Sequence, residues 1–168
     1  MSITKIQSES LNLADTYDFT GTVTGAGGVN TPAFSVYSAS GLASTVENVA
    51  TKVPFDTEFF DTDNAYDTST YRFTVPTGQG GKYFLFLKCR ANSETDNDGS
   101  SARIYKNGTA LTMAYGRMEF YDTFECVAIV DLSEADYIEA YFATQYGTHG
   151  VNGGSQFGSN FGGYKLIT

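Results

Sequence analysis

Apolar and polar residues alternate along this chain at the two-residue period of β-strands. The longest example covers residues 82–91. Tyr83, Leu85, Leu87 and Cys89 share one face, and Phe84, Phe86, Lys88 and Arg90 share the other. The second face begins apolar and ends charged. A strand apolar on both sides over part of its length is wedged between two apolar surfaces, and a subunit interface is the natural second one. Further strands are predicted at 33–38, 71–75, 102–106, 109–114, 123–131, 137–144 and 159–167. Asn107-Gly108 lies between Tyr105-Lys106 and Thr109-Ala110. Both residues tolerate positive φ, so a type I′ hairpin is expected there. The stretch from Leu132 to Asp136 reads as a tight turn. Helical periodicity is almost absent. Many short antiparallel strands with frequent turns predict an all-β sandwich or jelly roll.

The first 30 residues have a different character. Tyr17, Phe19, Gly21 and Val23 alternate with Asp18, Thr20, Thr22 and Thr24, then Gly25-Ala26-Gly27-Gly28 breaks the pattern. This predicts an N-terminal arm over 1–30 with a Gly-rich joint, followed by a head domain over 31–168. Leu11, Leu13, Tyr17, Phe19 and Val23 are too few to bury themselves. They pack either on the head or on a partner.

Composition narrows the function. The chain has 168 residues, with 13 Phe, 12 Tyr, 18 Gly and no Trp. Nineteen acidic residues against ten basic ones give a net charge of −9. That field repels a phosphate backbone, so nucleic-acid binding is not expected. No signal-peptide core is visible at the start, and no apolar run is long enough to insert in a membrane. Synthesis in a host cytoplasm follows as an expectation.

Chemistry-bearing clusters are few. Cys89 and Cys126 sit at inward strand positions and read as small buried hydrophobes rather than a disulfide. His149 is the single histidine, which leaves no histidine cluster for a metal or for catalysis. Asp96-Asn97-Asp98-Gly99, preceded by Glu94, opens like a calcium loop, but Tyr105 stands where the bidentate acid belongs. A solvated loop is the expectation, with no metal and no cofactor. Acidic residues are numerous enough that chance pairs are easy, and none is marked for catalysis; no enzymatic activity is expected. The Gly-rich segment 147–158 reads as a surface loop. Tyr146, His149, Asn152 and Gln156 there are candidate contacts for a glycan or protein.

Phe55, Asp61, Tyr66 and Phe73, followed by Gly81-Lys82-Tyr83, resemble the globular heads of the complement component 1q family, whose fold is close to that of tumour necrosis factor. The spacings of six, five and seven residues match. Two extra residues precede Gly81, and Leu85 replaces an expected Phe. Other matches are Pro32 to Tyr37, Arg103 to Gly108, Val130 to Ile138, and Phe161 to Leu166. The resemblance implies a jelly roll of about ten antiparallel strands that forms a homotrimer around a hydrophobic axis. It assigns Phe55, Tyr66, Phe73, Tyr83, Phe86, Phe161 and Tyr164 to the fold and trimer core.

The arm from Ser10 to Val23 resembles N-terminal segments of tail-fibre-like and virion proteins of marine bacteriophages. It implies a structural virion protein, a capsid decoration or small fibre knob, docked on another virion protein through the arm. The alternative is a phage receptor-binding head that grips a host-surface glycan or protein.

Overall fold

The computed structural model describes residues 30–92, 98–118, 121–154 and 158–167. Within them lie eleven strands and no helix. They are β1 (Ala33–Tyr37), β2 (Thr51–Lys52), β3 (Thr57–Asp61), β4 (Tyr66–Asp67), β5 (Arg72–Thr74), β6 (Gly81–Arg90), β7 (Asp98–Lys106), β8 (Thr109–Met118), β9 (Thr123–Leu132), β10 (Tyr137–Thr144) and β11 (Asn160–Lys165). The five-stranded sheet runs β3-β1-β11-β6-β9, and its partner runs β4-β5-β10-β7-β8, with β2 pairing β10. Every strand pairing is antiparallel. This is the expected jelly-roll sandwich.

The core forms between the two inner faces. Tyr83, Leu85, Leu87 and Cys89 of β6 meet Ile138, Ala140 and Phe142 of β10, with Ala102 and Ile104 of β7 beside them; all are buried. At one end the aromatics gather. Phe34 stacks on Phe73 at 4.5 Å and on Tyr66 at 5.4 Å, and Phe161 meets Phe34 edge-on at 5.2 Å. Tyr66 keeps its hydroxyl satisfied by donating to the Phe55 carbonyl at 3.0 Å. Burial, helped by nearby Asp56, pushes that phenol's pKa well up, so it stays a donor. Phe55, Tyr66, Phe73 and Tyr83 thus converge on one core, although they arrive from separate elements.

The predicted hairpin is present. Asn107 and Gly108 have φ of 50° and 77°, and Lys106 pairs with Thr109. Asn107 also locks a second turn. Its amide donates to Asp136 at 2.7 Å, and its side-chain oxygen accepts from the Tyr137 N–H at 2.8 Å. That second turn is the tight one read between Leu132 and Asp136; Ala135 has φ of 65°.

Three strands exceed the prediction: β2 and β3 pair with strands distant in sequence, and β4 pairs with β5 over only two residues. Strand β7 also begins at Asp98, earlier than its apolar pattern. The cysteines are both free and buried, and burial raises both thiols, Cys126 to about 11. Residues 1–29, and with them Leu11, Leu13, Tyr17, Phe19 and Val23, fall outside the described residues, as do Glu94, Asp96 and Gln156.

Replacing Phe161, which is fully buried among Phe34, Phe55 and Tyr66, with Ala is expected to cost about 3–5 kcal/mol. Urea unfolding of Phe161→Ala against the parent chain measures it.

Candidate interaction surfaces

The outer face of the five-stranded sheet departs from ordinary patterning. A half-solvated antiparallel sheet puts polar residues outward. Here Phe84 and Phe86 of β6 point outward beside Ile129 and Val127 of β9, their direct cross-strand partners. Ile129 is 68% exposed and Val127 61%. Tyr164 of β11 lies on the other side of Phe84, with ring centroids 5.5 Å apart. At the far edge Phe59 and Phe60 of β3 are half exposed, and Tyr37 stacks on Phe59 at 4.7 Å.

Gly162 explains how these rings lie flat. It sits opposite Phe86 in the β6–β11 register, and a Cβ there would run into the Phe86 ring and the Phe34 carbonyl. Its neighbour Gly163 leaves the same kind of room for Leu85 on the inner face. Thus Phe86 of β6 and Tyr164 of β11 sit on the outer side of the sheet, whereas Phe161, also of β11, is in the sandwich core. A shallow cleft of about 140 Å³ runs between Phe86, Val127 and Asn160.

The opposite sheet presents a mixed outer face: Met113 and Tyr115 of β8 are exposed, while β10 and its neighbours carry a polar network. Glu139 is 2% exposed. Lys52 Nζ donates to its Oε1 at 2.6 Å, Arg72 Nε donates to the same oxygen at 2.9 Å, and the Tyr141 hydroxyl donates to Oε2 at 3.1 Å. Arg72 also lies 3.8 Å from the Tyr137 ring centroid. Burial opposes ionisation of Glu139, but the hydrogen bonds and charges of Lys52 and Arg72 outweigh it, so its carboxyl stays below the ordinary value. Burial and the Glu139 charge push the Tyr141 phenol up to about 12. Such a network fixes side chains on the sheet without exposing an uncompensated charge.

The proposed ligand loop divides. Tyr146 is 56% exposed. His149 is half-buried, and its carbonyl accepts from the Thr45 N–H at 2.9 Å and the Thr45 hydroxyl at 2.8 Å. Asn152 is committed to the scaffold. Its N–H donates to the Arg90 carbonyl, its amide donates to the Ala91 carbonyl, and its carbonyl accepts from Ser159. Val151 bridges to both Leu42 and Ala91. Residues 149–152 are therefore pinned across the end of the sandwich, where the Gly-rich composition suggested a free loop. Asp61 accepts from the Tyr66 N–H at 2.8 Å. Among the described residues no group of three or more His, Cys, Asp or Glu side chains is placed to hold a metal ion.

No family model and no curated protein matches the sequence. Solved structures do match. The PRD1 vertex protein P5 superposes with a TM-score of 0.65 at 12% identity, over 83% of this chain and 100% of that one. The fold is the jelly roll of the complement 1q and tumour necrosis factor type. The globular domain of zebrafish complement 1qA protein matches at TM-score 0.56 and 14% identity, over 82% of this chain and 98% of that one. Murine APRIL matches at TM-score 0.58 and 15% identity, over 80% and 98% respectively.

Glu139→Gln is expected to lower stability by about 1–3 kcal/mol at neutral pH, since it uncouples two half-buried cations from their acid. The lowered folded pKa makes the carboxylate's contribution present above the unfolded value of 4.5 and lost as pH falls through the folded value. The gap in melting temperature between parent and variant should therefore narrow from about pH 6 to about pH 3. Differential scanning calorimetry across that range checks it.

Proposed function

We propose that the chain is a non-enzymatic structural protein of a bacteriophage particle, a capsid decoration or small fibre knob. Its head works as a homotrimer. The carrying observation is the outer face of the five-stranded sheet, where Phe84, Phe86, Val127, Ile129 and Tyr164 form a contiguous apolar surface. A rigid sheet that exposes such a surface is built to be covered. In a closed symmetric assembly each copy covers part of its neighbour's face, and the sheet then has an apolar layer on both sides. The similarity of fold to a phage vertex protein over that protein's full length supports placement on a particle. The fold-mates are recognition and structural proteins, which favours a non-catalytic role.

In this reading the arm over 1–30 anchors the head over 31–168. Leu11, Leu13, Tyr17, Phe19 and Val23 insert into, or add a strand to, another virion protein. The trimer centre uses Phe86 and Tyr164, while Phe55, Tyr66, Phe73, Tyr83 and Phe161 hold the fold that presents them.

Light scattering of the intact chain at micromolar concentration is expected to return three times the 18.2 kDa subunit mass. Val127→Asp with Ile129→Asp should return one subunit with the sandwich still folded. A parent mass of one subunit contradicts the trimer. Deleting residues 1–24 should abolish incorporation into particles without changing the mass of the assembled head. Normal incorporation of that truncation contradicts the anchor.

A further inference from the structure

A second surface carries a different inference, independent of the particle reading. It lies on the outer face of the sheet containing β7 and β10. Core-facing Ala102 and Ile104 alternate with outward Ser101, Arg103 and Tyr105. Ile138, Ala140 and Phe142 alternate likewise with outward Glu139, Tyr141 and Ala143. Arg103 sits directly opposite Tyr141, and Tyr105 is 4.3 Å from Tyr141 by ring centroids.

Arg103 lines a concavity of about 280 Å³ with Asn48, Ser101, Tyr115, Thr144 and Gln145. Gly99 floors it, and a Cβ there would collide with the Tyr115 hydroxyl and the Gln145 side-chain oxygen Oε1. Those two groups are themselves joined, Tyr115 donating to Gln145 at 2.5 Å. The volume is at the small end of ligand pockets, with room for one ring of a saccharide.

Lys52, Arg72, Lys82 and Lys106 each have a carboxylate within 4 Å. Arg103 has no carboxylate partner among the described residues. Its Nε donates to the Ser101 hydroxyl at 2.8 Å, which fixes the guanidinium plane, and among the described residues neither terminal nitrogen has a hydrogen-bond partner. Two parallel N–H groups in that fork fit a carboxylate. Glu139, on the same face, is already taken by Lys52 and Arg72. Glu47, beside Asn48, accepts from the Gly147 N–H at 3.3 Å. On a chain of net charge −9, a cation fixed in a concavity is a local reversal of the field.

We propose that this concavity binds a carboxylate-bearing saccharide, a uronic acid unit of an acidic glycan. The guanidinium of Arg103 takes the carboxylate. The amides of Asn48 and Gln145 meet the sugar hydroxyls. The Tyr105–Tyr141 pair offers its rings to the next sugar along the chain. Such a ligand is an acidic surface polysaccharide of a cell.

The test is titration calorimetry of the intact chain with trigalacturonate, with neutral galactotriose, and with glucose 6-phosphate as a phosphate-bearing alternative. Trigalacturonate should bind and galactotriose should not. Arg103→Gln should weaken trigalacturonate by at least about tenfold, the loss of one charge-assisted contact. Tyr105→Ala should weaken it by a smaller factor. Lys82→Gln, on the other sheet, should leave it unchanged. Circular dichroism confirms that each variant is folded. Equal binding of the acidic and neutral trisaccharides overturns the proposal, as do unchanged affinity in Arg103→Gln and no binding of trigalacturonate at millimolar concentration. Binding of glucose 6-phosphate without trigalacturonate overturns it in favour of a phosphate site.

Discussion

Everything in this molecule is arranged around a sheet that is apolar on both of its faces. The constraint is set by β6, the strand next to the β9 edge. Its inward residues, Tyr83, Leu85, Leu87 and Cys89, supply one wall of the core. Its outward Phe84 and Phe86 are only half-buried in the single subunit. Fully burying an aromatic ring is worth roughly 2 kcal/mol or more, so a row of half-covered rings leaves part of a favourable term unclaimed. The paired strands match it: β9 adds Val127 and Ile129, and β11 adds Tyr164. Gly162 and Gly163 between them give up their own side chains so that Phe86 and Leu85 can pack on either side.

The second sheet solves the opposite problem. It has one core face and one solvent face, and around β10 it keeps the solvent face ordered by charge pairing, while β8 exposes Met113 and Tyr115. Glu139 gathers Lys52 from β2 and Arg72 from β5 onto β10, which ties the three strands together outside the core. Desolvating that carboxylate costs energy that its two cations return only because they are hydrogen-bonded to it. The result is a fixed platform of Tyr105, Tyr137 and Tyr141 with Arg103 at its side. One sheet is thus suited to association between copies, and the other to presenting chemistry outward.

Much of this was legible in the sequence, for physical reasons. The two-residue period of β6 showed both of its faces directly. Asn107-Gly108 announced its hairpin because few other dipeptides accept two positive φ values. The aromatic spacings marked the core because each strand feeds one large ring to the same layer. What was not legible depends on distant pairing. Strand β3, Thr57–Asp61, has no clean alternation and exists because β1 pairs with it across a bulge. Asn152 looked like a loop residue free to meet a ligand, but its partners Arg90, Ala91 and Ser159 come together only after folding. Glu139 and Arg103 carry no local signal either. The first is buried by neighbours on other strands, and the second has no carboxylate partner among the described residues.

The central claim is that the apolar outer face of the five-stranded sheet is covered in the working protein. Carbene footprinting of the intact chain at micromolar concentration, read by peptide mass spectrometry, tests it most directly. The account predicts that Phe84, Phe86, Val127 and Ile129 are protected, while exposed Tyr146 at the end of the sandwich is labelled. Labelling of Val127 and Ile129 as heavy as that of Tyr146 would contradict it.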